Sequence, residues 1–149
     1  MPKSDITSMS DDLWGEYKAT EFWVEDHGER FCIMVDKRSL ELDRVLTLHR
    51  VESWAYVTAH NPRSQLLIPE DNALRHQQLL DRIVRDGYSV LQGRGIGSDP
   101  DWVPEDSYLI IGIPRADAIS LGCDFGQNAI VVGRIGNPAE LVPCHGEST

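Results

Sequence analysis

The chain has 149 residues, enough for a sizeable hydrophobic core and, by length, one domain. Its 14 Lys and Arg are outnumbered by 24 Asp and Glu, for a net charge of −10. That balance argues against general affinity for nucleic acid or an anionic membrane, both of which need clustered cations, while it serves solubility and suits a basic protein partner.

Residues 1–12 are polar and are predicted to form a disordered tail ahead of one globular domain over 13–143, with a short polar tail over 144–149. From Leu13 to Val24 the text turns aromatic, with Trp14, Tyr17, Phe22 and Trp23, and reads as a first strand. Glu25-Asp26-His27-Gly28-Glu29 is a turn, and Phe31 to Val35 is a second strand in hairpin with the first. Ser39 is an N-cap candidate for a helix running to Arg50, with Leu42 and Val45-Leu46 at helical spacing.

Ser53–Ser64, SWAYVTAHNPRS, is the stretch around which the rest is arranged. Trp54, Tyr56, Thr58 and His60 fall on one face of an extended run, and Val51, Ala55, Val57 and Ala59 on the other. Both faces start apolar, which predicts an interior strand covered on both sides. Its end turns polar, and Pro62 stops the pairing. Ligands gather where strands give way to polar loops, although Asn-Pro-Arg-Ser is also an ordinary turn composition.

A second helix is predicted from Pro69-Glu70-Asp71 to Arg85-Asp86, with Gly87 as its stop. Its inward stripe is apolar in the last turns but begins with Asn72 and His76. Buried polar groups need partners, so the first turn either overhangs into solvent or faces a polar cleft. Thr58, His60, Asn61, Asn72 and His76 are then expected to converge. Tyr88–Gln92 reads as a strand, and Gly93 to Asp106 as a long loop in which Trp102 caps the core edge. Its glycines are no dinucleotide fingerprint, because Pro100 and Pro104 follow where a helix should start. Ser107–Ile113 is a buried strand, Arg115–Cys123 a short helix, Ala129–Gly133 another strand and Glu140–Val142 an edge. The order β-β-α-β-α-β-β-α-β-β implies the α+β class, a single mixed sheet of six to seven strands with three helices packed on it.

No acyl-transfer, nucleotide-loop or zinc-protease signature occurs, no cofactor is indicated, and the five histidines show no metal-ligand spacing. Cys32, Cys123 and Cys144 are too few and too scattered for a disulfide framework. Cys32 and Cys123 read as small buried hydrophobes. With no signal peptide or membrane-length apolar run, the cytoplasm is the expected compartment. A polar set remains: Thr58, His60, Asn61, Arg63, Asn72, Arg75 and Gln127 as ligand-binding candidates, with Glu105 as a candidate acid or base. It suits a small polar or anionic molecule, with Arg63 or Arg75 meeting an anion. The second reading makes the set purely structural and the protein an acidic interaction module for a basic partner.

Tyr17-x-x-Thr20, Thr58-Ala59-x-Asn61-Pro62-x-Ser64, Glu70-x-Asn72-x-x-Arg75, Trp102-x-x-Glu105-x-Ser107 and Phe125-Gly126-Gln127 occur in that order. Together they resemble a small bacterial domain family of unknown function, over about Gly15 to Val132. Thr-Ala-x-Asn-Pro is the most specific element. Asp71 here separates Glu70 from Asn72, which the family's pattern has adjacent. The resemblance implies a bacterial, soluble, stand-alone domain and brings no activity with it.

Overall fold

Seven strands pair into one curled sheet in the computed structural model of the protein, which describes residues 11–144. In chain order the elements are α1 (Asp11–Ala19), β1 (Glu21–Asp26), β2 (Glu29–Ile33), α2 (Leu40–His49), β3 (Ser53–Thr58), a single 3₁₀ turn (Pro62–Ser64), α3 (Pro69–Arg85), β4 (Ser89–Ile96), β5 (Glu105–Ile111), α4 (Arg115–Asp124), β6 (Ala129–Arg134) and β7 (Glu140–Pro143). The strands lie in the order β2-β1-β4-β5-β3-β6-β7. Every named pair is antiparallel. The parallel component is an isolated bridge, Val35 to Ala139, which draws the segment after β2 against the segment before β7. Asp36 N donates to Ala139 O at 2.8 Å and Ala139 N to Lys37 O at 3.0 Å, so the two edges of the sheet approach each other.

β3 is the interior strand its two apolar faces predict, bonded to β5 on one side and β6 on the other. Inside the curl, Phe22, Val24, Ile33, Trp54, Tyr56 and Leu109 pack with Leu42, Val45 and Leu46 of α2. On the outer face, Val57, Ile110 and Ile130 pack under Leu79 and Ile83 of α3 and Leu121 of α4. Ser39 caps α2, accepting from Leu42 N at 3.1 Å. Full burial of such side chains stabilises by about 1.5–3 kcal/mol each, and this places the two helical layers on opposite faces of one sheet.

The structure departs from expectation at three places. The aromatic text at the start is a helix before it is a strand. Trp14 and Tyr17 are three residues apart and pack on the inner core, and Thr20 Oγ1 closes the turn on Glu16 O at 2.6 Å. This makes four α-helices among the described residues, with α1 starting inside the stretch expected to be tail. Residues 1–10 and 145–149 lie outside the described residues. Both ends of the predicted long loop are strand, since Gly93 and Gly95 alternate with Gln92, Arg94 and Ile96 along β4 and Glu105-Asp106 open β5, which leaves 97–104 irregular. Gly93 is required there: a Cβ would stand 2.6 Å from both Trp23 O and Tyr56 Oη, which bond to each other across it at 2.8 Å. Finally, Cys144 is fully buried, whereas Cys32 and Cys123 are only half-buried, and no two of the three are bonded.

Candidate functional site

Past the end of β3 the backbone turns away at Pro62, which opens the single 3₁₀ turn. Asn61, Arg63 and Ser64 all adopt left-handed φ, at 47°, 56° and 61°. Three such residues within four are costly unless the surroundings hold them, and such strain concentrates at working sites. The holding is explicit. Asn61 N donates to Asn72 Oδ1 at 2.9 Å, and Asn72 Nδ2 donates to Asn61 Oδ1 at 2.9 Å. Leu67 N adds a second bond to Asn61 Oδ1 at 3.0 Å. Arg63 N donates to Gly126 O at 2.7 Å, and Asn128 Nδ2 to Ser64 Oγ at 2.8 Å. The polar first turn of α3 is therefore neither a solvent overhang nor an open cleft; Asn72 is buried because its partner is the loop itself.

Arg75 and Gln127 hold the loop from behind. Arg75 Nε donates to Ala59 O at 2.6 Å and its Nη2 to Phe125 O, with the guanidinium over the Phe125 ring at 5.8 Å. Gln127 Nε2 donates to His60 O at 3.1 Å. Gly126 carries φ +72°, and a Cβ there would meet Pro62 Cβ at 2.9 Å, so the loop closes against a position only glycine fills. Thr58 Oγ1 donates to Asp106 O at 2.7 Å and accepts from His60 N at 3.1 Å.

The remaining Asn61 amide points the other way. Asn61 Nδ2 donates to Glu105 Oε2 at 2.8 Å. Glu105 stands on the wall of a cavity of about 400 Å³ between the inner face of the sheet, α1 and the loop over 97–104. Thr58, Asn61, Glu105 and Gln127 of the predicted set line this cavity. Tyr17, Thr20, Ser64, Trp102 and Ser107 line it too, so most of the elements that carried the resemblance meet at one place. Trp102, read as a core cap, is part of the wall.

Burial pushes the Glu105 carboxyl up from its ordinary range, against hydrogen bonds from Asn61 and Trp102 that favour the ionised form. Tyr17 is pushed up strongly by burial and by the Glu105 charge, so its hydroxyl stays protonated. A half-buried carboxyl with a raised pKa, anchored by an amide and facing a cavity, has the properties of a general acid or base.

His60 and His76 meet on the outer face instead. Their rings stand edge to face at 5.7 Å, and His76 stacks on Tyr108 at 4.3 Å. Burial lowers both pKa values. The Arg63 side chain is exposed, and neither it, His60, Asn72 nor Arg75 lines the cavity. Among the described residues no three His, Cys, Asp or Glu side chains are grouped to hold a metal ion, and no helix is long and apolar enough to cross a membrane.

The cavity wall from α1, with Glu16, Tyr17 and Thr20, escapes a reading that makes this stretch a strand. The signal that reveals it is the three-residue spacing of Trp14 and Tyr17. Gly95 escapes as a loop residue, and its alternation with Gly93 is the clue that it lies on the inner face.

Residues 57–130, just under half of the chain, are similar to a family model described as a protein of unknown function (DUF3293). No curated protein and no solved structure matches the chain.

Proposed function

We propose that the protein binds a small polar molecule in the cavity beneath α1, with Glu105 as the group that accepts its hydrogen bond and takes or gives a proton. The observation that carries this is Glu105 itself: a carboxyl drawn into a cavity of about 400 Å³ and tied through Asn61 to a strained loop braced from α3. A volume of that order suits a small ligand. Asn61 positions Glu105. Asn72 and Arg75 act one step further back, by fixing Asn61 and the carbonyls around it. Trp102 and Tyr17 supply aromatic walls.

The test is a thermal-shift screen of small polar compounds against the wild-type chain and Gly95→Leu. A Cβ on Gly95 meets nothing closer than 3.7 Å, so the larger side chain enters the cavity without displacing backbone. A ligand at a hundred times its dissociation constant adds roughly 2.7 kcal/mol, which a melting curve resolves. The expected result is a compound that stabilises the wild type and not Gly95→Leu, with the two unliganded proteins melting alike. Compounds that stabilise both equally would place binding elsewhere and overturn the proposal.

A further inference from the structure

Resting on that reading, the hydrogen-bond inventory of the cavity identifies the ligand's chemistry. The hydroxyls of Thr20, Tyr56, Thr58 and Ser107 each donate to a backbone carbonyl, of Glu16, Trp23, Asp106 and Glu105. The amides of Asn61, Gln127 and Asn128 donate to Glu105, to His60 O and to Ser64 Oγ. These seven donor groups are thus engaged, and Glu105 already accepts from Asn61. Gln127 lines the cavity and donates through Nε2 to His60 O, and its Oε1 accepts no hydrogen bond among the described residues. Three carboxylates, Glu16, Asp99 and Glu105, line the cavity, and no Lys or Arg does. Phe22, Tyr56, Trp102, Ala129 and Val131 add aromatic and aliphatic surface, and Tyr17, Ser64 and Ser98 add hydroxyls.

An anion would meet carboxylates and engaged donors here, with no cation to neutralise it. A protonated amine finds the opposite: carboxylates to pair with, the Gln127 carbonyl oxygen and aromatic faces that attract an ammonium group. The chain's net charge of −10 adds a favourable field for a cation. Among the described residues no three His, Cys, Asp or Glu side chains are grouped to hold a metal ion, which favours an organic cation. We infer that the cavity recognises a small organic ammonium compound, its charged nitrogen at Glu105 and Gln127 and its apolar body against Phe22, Trp102 and Val131.

Isothermal titration calorimetry of the full chain with matched four- to eight-carbon primary amines, alcohols and carboxylates on the same skeletons tests this. The expected result is that the amine binds roughly tenfold or more tightly than its alcohol. The carboxylate gives no heat, and Glu105→Gln removes the amine's advantage. The wild-type charge series stands on its own if that variant folds poorly. An alcohol or carboxylate that binds as tightly as its amine, and is lost in Gly95→Leu, would overturn the ammonium inference and leave the cavity proposal standing. Binding that Gly95→Leu does not alter would overturn both.

Discussion

Asn61 and Asn72 lie eleven residues apart and close on each other with two hydrogen bonds of 2.9 Å, one through the Asn61 backbone and one between side-chain amides. The pair welds the first turns of α3 to the end of the central strand and leaves the Asn61 Nδ2 group to present itself to Glu105. Asn72→Ala strips the acceptor from a buried backbone N–H and one of the two donors from Asn61 Oδ1. The expected loss is about 2–4 kcal/mol, read as a fall of roughly 5–15 °C in melting temperature. Asn72→Asp keeps the first bond but sets a carboxylate against Asn61 Oδ1, and it is expected to fall as well. A melting curve unchanged by both substitutions would show that the pair does not hold the loop.

How much of this could be read in advance depended on range. The central strand, α3 and the α+β class follow from local periodicity, and Thr58, Asn61, Glu105 and Gln127 stand out as polar residues at element ends. Two things do not follow. The helix α1 carries two aromatic residues at helical spacing inside a run that also ends in the strand-like Phe22-Trp23-Val24, so composition outweighs period. The division of the polar set between two faces of the sheet is a tertiary fact. His60 and Asn61 are neighbours in sequence, yet His60 joins His76 on the outer face while Asn61 reaches Glu105 on the inner one. Nothing in the order of residues says that the left-handed turn at Asn61 separates them.

Arg75 gives a second prediction. Its guanidinium bridges the carbonyls of Ala59 and Phe125, and so ties the end of the central strand to the end of α4 alongside the Arg63 N–Gly126 O and Gln127 Nε2–His60 O bonds. Burial lowers its pKa, and the two carbonyls hold it in place. Lys cannot reproduce a planar fork. Arg75→Lys is expected to lose about 1.5–3 kcal/mol by chemical denaturation, and Arg75→Ala somewhat more. An Arg75→Lys protein as stable as wild type would show that one carbonyl suffices.

Glu105 sets a pH dependence of definite sign. Its folded pKa is raised by burial, so between the ordinary carboxyl range and that value the folded chain holds the extra proton. Stability from this residue therefore falls as pH rises through the window and stays lower above it. Glu105→Gln cannot ionise, and Asn61 Nδ2 still meets a carbonyl oxygen. Its melting temperature relative to wild type is expected to climb as pH rises out of the ordinary carboxyl range and to level off above the raised folded value. A difference that is flat with pH, or that has the opposite slope, would mean that Glu105 is stabilised in its ionised form.

His60 and His76 act with the opposite sign and are separable from Glu105. The Nε2 atom of His60 and the Nδ1 atom of His76 are buried without hydrogen-bond partners, and burial lowers both pKa values below the ordinary imidazole range. The Asp106 charge works against this at both rings, whereas Arg75 and Arg94 reinforce it at His60. An unfolded chain takes up its imidazole protons near pH 6.5, before the folded one does. The stability of this cluster is thus complete above about pH 6.5 and is lost as pH falls through the folded values. Because His76 stacks on Tyr108 with the ring planes within 5°, His76→Phe keeps the stack and removes both the proton and the orphan nitrogen. Expected is a melting temperature that declines less steeply than wild type below pH 6.5, with a gain of about 1 kcal/mol at neutral pH from the lost unsatisfied atom. Melting both proteins from pH 5.0 to 7.5 isolates the effect, since Glu105 is common to the two curves and cancels in their difference. Parallel curves would show that His76 does not titrate differently in the fold, and the acid response would then have to come from His60 alone.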